Sequence, residues 1–354
     1  MLTSDATHAA TVAAFEAAAW FGLGRAHVVF VRQASLPVLH PSGRFLLESR
    51  CAVATSPDGN GGLFEALQRS GALDVLRSAG VLYLHAVAVD NALCRPGDPE
   101  LVGACAMFGS ETASRCVRRA APDEAVGVFA RLPPPPPSSS SSTHDSDPKP
   151  TVLSVVEYSE LPVAVRSGLR PDGRLAFDAA NVAQHVFTLP LLSRLAAPPA
   201  QPMRYHAARK RVSGLADDSS TGAASSPAGD PPNPLSPPPS PDVAPRDALK
   251  LEAFIFDAFP HAEAATLLRG QRSALFAPVK NAEGRDSPAR VFFPHSILPS
   301  VRMEIAVSFF LYVFFSLTFI SPGHRARRGQ RPPPTLGGGG GRGDRRRRAV
   351  RAVA

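Results

Sequence analysis

Cysteine is scarce in this sequence, with four residues in 354, and no two of them form a C-x-x-C pair. No histidine lies at metal-ligand spacing from Cys51, Cys94, Cys105 or Cys116. Structural zinc sites need such paired ligands, and disulfide frameworks belong mainly to small secreted domains. The first residues also lack the basic and apolar regions of a secretory signal. We therefore expect free thiols in the cytoplasm.

The body of the chain also lacks an excess of basic charge. The formal net charge is +8, but residues 321–354 hold ten arginines and one aspartate, so this segment alone has a charge of +9. The other 320 residues carry 28 basic and 29 acidic side chains, a net charge of −1. This balance gives no reason to expect a nucleic-acid partner. The length suffices for one large or two ordinary domains.

Alternating apolar segments predict the fold class. The run 81–89 is almost continuously apolar, which is typical of a strand covered on both faces. Helical spacing predicts helices over 7–20 and 63–78, and short apolar segments predict strands over 27–31, 126–132 and 152–158. Helices alternating with strands predict an α/β fold with a mixed, mostly parallel sheet and flanking helices.

Two low-complexity segments interrupt this pattern. The segment 133–150 begins with five prolines and five serines, and residues 216–247 are rich in proline, serine and aspartate. Neither has enough apolar surface to offset its ordering entropy, so we predict mobile loops on a folded core. The predicted organisation is a folded domain over 1–290 with inserts at 133–150 and 216–247.

A glycine-rich segment at 56–62 reads Ser-Pro-Asp-Gly-Asn-Gly-Gly and directly precedes a helical pattern. Glycine accepts positive φ, so the backbone amides of such a segment can converge on one point. That arrangement suits a nucleotide base or a phosphate. The alternative is a tight surface turn that caps the helix.

Asp90 and Asn91 follow directly on the apolar run 81–89. Ligands of open α/β sheets gather beyond the carboxyl ends of strands, so a carboxylate there can hold a metal or a ribose. The alternative is an Asx turn that ends the strand.

Together with further segments, Pro-Asp-Gly-Asn-Gly-Gly resembles the eukaryotic UDP-N-acetylglucosamine pyrophosphorylases, which are uridylyltransferases with a Rossmann-like nucleotidyltransferase core. The other matching segments are Arg-Gln-Ala-Ser-Leu-Pro at 32–37, Val-Asp-Asn at 89–91, Val-Gly-Val at 126–128, Val-Val-Glu-Tyr-Ser-Glu at 155–160, Phe-Asp-Ala-Ala-Asn-Val-Ala at 177–183, Leu-Glu-Ala-Phe-Ile-Phe-Asp-Ala-Phe at 251–259 and Phe-Ala-Pro-Val-Lys-Asn-Ala at 276–282. The sequence departs from the family at Arg32, Ala34, Asp178 and Ala180.

The resemblance implies uridylyl transfer from UTP to N-acetylglucosamine 1-phosphate with release of pyrophosphate and with Mg²⁺ as cofactor. It also implies three groups of site residues: Asp90 for Mg²⁺ and Lys280 for phosphate; Gln33, Gly59 and Asn60 for the uridine; and Gly127, Glu157 and Asn181 for the hexosamine. Taken alone, each has a structural alternative, such as a solvent-exposed Lys280 or a solvent-facing Glu157 on an alternating strand. The competing hypotheses are a non-catalytic family fragment or membrane-tethered binding protein, and a related UDP-sugar pyrophosphorylase.

The resemblance runs from the start of the sequence to about residue 290. It implies that a Gly-rich loop and a lysine that cradle UTP precede this sequence, and we expect the chain as given to lack activity without them. Residues 305–320 form an apolar stretch of sixteen, short of the roughly 20 that a spanning helix needs. One interpretation is a tail anchor with a basic flank. The other is that the whole tail 291–354 is a translated intron from a mis-joined gene model. We favour the second, because the family is still folded at this point, and expect no membrane partner.

Overall fold

A computed structural model describes residues 1–133, 151–197, 203–215, 243–284, 286–287, 315–320 and 349–353. The predicted inserts lie mostly outside these residues, as do 291–314 and 321–348. Its α-helices are α1 (His8–Ala17), α2 (Leu63–Arg69), α3 (Ala72–Ser78), α4 (Pro99–Met107), α5 (Val163–Ser167), α6 (Leu189–Ala196) and α7 (Arg272–Leu275). Short 3₁₀ segments cover Ala19–Gly22, Arg25–His27, Asn60–Gly62 and Ile255–His261. Among the described helices, none has the length and apolar content to cross a bilayer.

The strands are short in the first sixty residues and longer afterwards. They are β1 (Leu2–Thr3), β2 (Val31–Arg32), β3 (Ser35–Pro37), β4 (Leu47–Ser49), β5 (Ala52–Val53), β6 (Thr55–Pro57), β7 (Tyr83–Ala88), β8 (Thr112–Arg118), β9 (Val128–Leu132), β10 (Val152–Val156), β11 (Ala179–Thr188), β12 (Tyr205–Leu215), β13 (Val243–Ala253), β14 (Ala264–Arg269), β15 (Phe315–Ile320) and β16 (Ala349–Val353). The strands predicted at 81–89, 126–132 and 152–158 are present. β13 begins inside the segment predicted as the second insert, and β15 lies inside the stretch 305–320.

The chain divides into two compact units. The first comprises Met1–Leu2, Leu67–Gln201 and Phe256–Ala354, and the second comprises Thr3–Ala66 and Pro202–Ile255. This division differs from the predicted organisation, which stays a prediction.

The first unit is built on a mixed sheet, as the fold class predicts. β11 lies between β7 and β8 and is antiparallel to both, and β9 pairs antiparallel with β10 and β11. β14 runs parallel to β8 and to β16, and β15 is antiparallel to β7. The prediction of a mostly parallel sheet is therefore wrong for the described strands. The crossover from β7 through α4 to β8 leaves room for a later strand, and β11 fills it.

Helix α4 covers one face of this sheet. It begins at a favourable cap, because the Asp98 carboxylate accepts hydrogen bonds from the backbone N–H groups of Glu100 at 3.0 Å and Leu101 at 3.4 Å. Its side chains form a buried cluster with two strand residues; the cluster comprises Leu101, Val102, Cys105, Ala113 and Val186. On the sheet, the rings of His185 and Phe187 pack on Phe259.

The second unit is a set of small antiparallel pairs. β12 and β13 form a long hairpin that runs from Tyr205 opposite Ala253 to Leu215 opposite Val243. β3 pairs with β6, β4 pairs with β5, and Leu39 exchanges backbone hydrogen bonds with Leu249. Its buried cluster consists of Val38, Leu46, Ala54 and Ala248.

Two local predictions differ from the structure. The helix predicted over 63–78 is two helices, α2 and α3, because Gly71 adopts a left-handed conformation with φ +71° between them. The strand predicted over 27–31 is reduced to Val31–Arg32, and a 3₁₀ turn covers Arg25–His27. Periodicity over so few residues does not separate a strand from an extended loop.

Candidate active site

Asp90 and Lys280 lie on neighbouring loops at the end of β7. The Asp90 backbone oxygen accepts a hydrogen bond from Val279 N at 2.8 Å, and Ala92 N donates to the Ala277 oxygen at 3.1 Å. These bonds bring the Lys280 ammonium to 4.0 Å from the Asp90 carboxylate. Burial raises the pKa of Asp90 above its ordinary value, and the charge of Lys280 opposes that rise. The predicted pair of metal and phosphate residues is thus brought together.

Asn91 joins these two loops, a role that the sequence does not reveal. The residue is 4% exposed. Its side-chain amide donates to the Leu275 oxygen at 2.8 Å, and its Oδ1 accepts from Ala277 N at 3.0 Å and Leu93 N at 3.3 Å. Both functions of the amide are therefore used, and Asn91 acts as a positioning residue for the segment that carries Lys280.

Asn91→Ala should lower the free energy of unfolding by about 2 kcal/mol, because it leaves buried backbone groups without their partner. Urea denaturation measures this change. Asn91→Asp is the matched control: at acid pH its neutral carboxyl group offers an acceptor for Ala277 N and a donor for the Leu275 oxygen, so its cost there should be smaller than that of Asn91→Ala. Equal stability of Asn91→Ala and wild type would contradict the positioning role.

A cavity of about 150 Å³ opens beside Lys280. Its lining residues are Glu124, Ala125, Val126, Arg272, Phe276, Pro278, Lys280 and Asp286. Arg272 pairs with the buried Glu124, whose second oxygen accepts a hydrogen bond from Ala120 N at 2.6 Å. The guanidinium also lies 5.1 Å from the Phe276 ring centroid. Arg272 thus places a second cation in the cavity, and sequence reasoning missed it.

The three residues assigned to the sugar lie together in the first unit. Asn181 N donates to the Gly127 oxygen at 2.8 Å. A Cβ on Gly127 would lie 2.8 Å from a methyl of Val155 and 3.5 Å from Oε1 of Glu157, so glycine allows the close approach of this strand. Val126, the neighbour of Gly127, lines the Lys280 cavity. The sugar residues therefore adjoin the predicted phosphate position.

The side chains of this group also have local partners. Asn181 Oδ1 accepts from Ala183 N at 2.9 Å, at a point where the register of β11 shifts and Ala183 adopts φ +52°. Glu157 Oε2 accepts from Tyr158 N at 3.1 Å. Asn181 thus stabilises a bulge in β11 as well as lying beside Gly127.

The predicted uridine residues share the second unit. Asp58 N donates to the Ala34 oxygen at 3.0 Å, which holds the glycine-rich segment beside Gln33. Gln33 is 8% exposed, and its backbone N–H donates to the backbone oxygen of Thr3 at 2.8 Å. The three predicted residues therefore occupy one loop region.

Close backbone contact explains the glycines of this segment. Gly59 has φ +89°, and a Cβ there would lie 2.3 Å from the Ala253 oxygen. A Cβ on Gly61 would lie 2.8 Å from Phe254 N. Asn60 Oδ1 accepts from Ile255 N at 2.7 Å, so this side chain has a structural role beside its predicted one. The helix that follows, α2, has seven residues.

The sequence is similar to proteins of known family. Residues 1–132 match the family model described as UTP–glucose-1-phosphate uridylyltransferase. UDP-N-acetylglucosamine diphosphorylase 2 of Arabidopsis thaliana is 34% identical over 285 residues, which is 80% of this chain and 48% of that protein. The chain spans about half the length of the curated relatives it matches.

The fold is also similar to solved structures of UDP-N-acetylglucosamine pyrophosphorylases. A putative UDP-N-acetylglucosamine pyrophosphorylase from Entamoeba histolytica matches with a TM-score of 0.63 and 25% identity, covering 81% of this chain and 62% of that one. The UDP-N-acetylglucosamine pyrophosphorylase of Trypanosoma brucei matches with a TM-score of 0.62 and 27% identity, covering 82% and 52%. Residues 1–132 thus belong to the UTP–glucose-1-phosphate uridylyltransferase family, and about 80% of the chain is similar to UDP-N-acetylglucosamine pyrophosphorylases.

Proposed function

We propose that this chain carries the nucleotide and sugar sites of a UDP-N-acetylglucosamine diphosphorylase, which makes the sugar nucleotide from UTP and N-acetylglucosamine 1-phosphate. The observation that carries the proposal is the Asp90–Lys280 pair, 4.0 Å apart, beside a cavity that adjoins Gly127. The names of the relatives support the N-acetylated sugar as substrate. All four cysteines lie in described residues and are free, which accords with the cytoplasmic location we propose.

In the proposed reaction, a phosphate oxygen of the sugar 1-phosphate attacks the α-phosphorus of UTP, and the bond to the β-phosphate breaks to release pyrophosphate. Such transfer depends on positioning and on neutralising charge. Lys280 and Arg272 supply two cations beside the reacting phosphates. Glu157 accepts hydrogen bonds from sugar hydroxyls, and the backbone at Gly127 leaves space for the ring. In the second unit, Gln33, Gly59 and Asn60 contact the uridine.

A divalent cation fits Asp90. Among the described residues, no group of three or more His, Cys, Asp or Glu side chains could hold a metal by itself. Magnesium, however, is commonly bound through one or two carboxylates, with substrate phosphates and waters as its other ligands. The Asp90 side chain, 27% exposed beside Lys280, offers one such carboxylate. We propose that Asp90 holds Mg²⁺, which neutralises charge on the phosphates when bound.

Product binding tests the proposal on the chain as given. The protein should bind UDP-N-acetylglucosamine in isothermal titration calorimetry, and more tightly than UDP-glucose. Lys280→Ala should weaken this binding at least about tenfold, because a charged hydrogen bond to phosphate contributes roughly 1.5–3 kcal/mol. Lys210→Ala, at an exposed lysine of β12, is the matched control and should bind like wild type. No binding, or equal affinity of Lys280→Ala and wild type, would overturn the proposal.

A further inference from the structure

A second cavity, of about 310 Å³, lies in the first unit and is lined by arginines. Its charged lining residues are Arg118, Arg119, Arg174 and Asp178. Among the described residues, this cavity and the one beside Lys280 have no lining residue in common. Its volume is at the lower end of the range of about 300–1,000 Å³ found for small-molecule sites.

Arg119 brings a buried positive charge to the cavity wall. The residue is 3% exposed, and its guanidinium donates to the backbone oxygens of Ala121, Pro122, Arg166 and Phe177 at 2.6–3.2 Å. Those partners are neutral, and the carboxylates of Glu124 and Asp123 act on this guanidinium through space. A buried charge that is hydrogen-bonded to neutral groups keeps part of its field, because little solvent screens it.

The Asp178 carboxylate is already paired with a guanidinium group. Its two oxygens accept hydrogen bonds from the Arg269 guanidinium at 2.8 and 2.9 Å. Arg118 and Arg170 lie 3.8 and 3.7 Å from the same carboxylate, which is beyond hydrogen-bond distance. A single carboxylate thus faces three guanidinium groups and balances the charge of one.

Arg174 completes the positive lining. Its Nε lies 3.6 Å from the Asp172 carboxylate, and both side chains are more than half exposed, so this ion pair is weak. Around the cavity, the described residues place five guanidinium groups against the carboxylates of Asp123, Asp172 and Asp178, while Glu124 is paired with Arg272. An excess of guanidinium groups around a concave surface favours a ligand with several oxygen acceptors.

We propose that this cavity binds a phosphate group of a small anion, held by Arg118 and Arg174 at a position separate from the phosphate position at Lys280. Arg119 acts from the cavity wall as a fixed charge, and Arg269, which does not line the cavity, acts by pairing with Asp178. Arg118 and Arg174 are 56% and 58% exposed, so their side chains reach solvent and can close on the anion.

Calorimetry with inorganic phosphate and, separately, inorganic pyrophosphate tests this site. All variants are made in a Lys280→Ala background, which removes the phosphate position of the proposed function. In that background, Arg118→Ala with Arg174→Ala should weaken binding of the better probe at least about tenfold. Arg77→Ala with Arg209→Ala removes the same charge from exposed positions elsewhere and is the matched control. The two probes distinguish a monophosphate from a diphosphate ligand.

Each outcome decides the proposal. Binding that survives Lys280→Ala and the control pair but is lost with Arg118 and Arg174 supports it. No measurable binding of either probe up to about 1 mM in the Lys280→Ala background overturns it, as does equal affinity of the two double variants. Urea denaturation of every variant verifies that the fold is kept, which is expected because both arginines are largely exposed.

Discussion

Two buried imidazoles should together remove about 4 kcal/mol from the free energy of unfolding between pH 7 and pH 5, because both stay neutral in the folded chain. His85 and His185 both have no exposed surface. Burial lowers the pKa of His85 from 6.5 to about 4, with Arg115 adding to that effect and Asp98 opposing it. Burial, and secondarily His85, lowers the pKa of His185 to about 3.

The sign follows from proton binding. Below pH 6.5 the unfolded chain binds protons at both residues, whereas the folded chain does not until the pH approaches 4. The contribution of the two imidazoles to the free energy of unfolding is therefore fully present above pH 6.5. It decreases as the pH falls, by about 2 kcal/mol per imidazole at pH 5. Hydrogen bonding agrees, since Nδ1 of His85 accepts from Gly97 N at 3.0 Å and cannot do so once protonated.

Urea denaturation at pH 7 and pH 5 measures this dependence. His85→Asn keeps an acceptor for Gly97 N but no titratable group, so it should remove about half of the loss on acidification. His27→Gln, at an exposed imidazole, is the control and should keep the wild-type profile. A wild-type free energy of unfolding that is the same at both values would contradict neutral burial of the two residues.

Gly59→Ala should destabilise the protein by at least about 3 kcal/mol, since strain at positive φ and a collision with backbone add. Gly59 has φ +89°, and the new Cβ would lie 2.3 Å from the oxygen and 2.8 Å from the nitrogen of Ala253. Backbone atoms of β13 cannot rotate away as a side chain can. The substitution should also abolish UDP-N-acetylglucosamine binding if the segment 56–62 contacts the uridine.

Gly43 offers a control that separates strain from collision. Its φ of +85° is nearly the same, but nothing lies within 4 Å of a Cβ added there. Gly43→Ala should therefore cost only about 1 kcal/mol, from backbone strain alone. Chemical denaturation of both variants measures the difference, and equal costs would show that β13 yields to the new methyl group.

Residues next to each other in sequence carried the successful part of the prediction. Asp90 could be placed at a strand end because the apolar run stops at Val89, and β7 indeed ends at Ala88. The glycines at 59 and 61 were recognised as special, and the contact with Ala253 explains why. Their predicted contacts with ligands stay predictions.

Relations between distant residues could not be predicted. The side chain of Asn91 bonds Leu275 and Ala277, which are 184 and 186 residues further along the chain, and no local sequence pattern marks these contacts. Hydrophobic periodicity likewise does not say that β11 lies between β7 and β8, which is why the sheet was predicted mostly parallel. The arginines around the second cavity come from three separate segments, so only the folded chain shows them together.

The two antiparallel hairpins have a practical consequence for engineering. Leu132 is paired with Val152, and Leu215 with Val243, so the ends of each connecting segment are fixed as neighbours by the strands themselves. Doubling the length of such a connection costs only about 0.6 kcal/mol of closure entropy. The connection between Leu132 and Val152 and the one between Leu215 and Val243 are therefore suitable sites for inserting an affinity tag or a fluorescent reporter. Both are distant in sequence from Asp90, Lys280 and the glycine-rich segment.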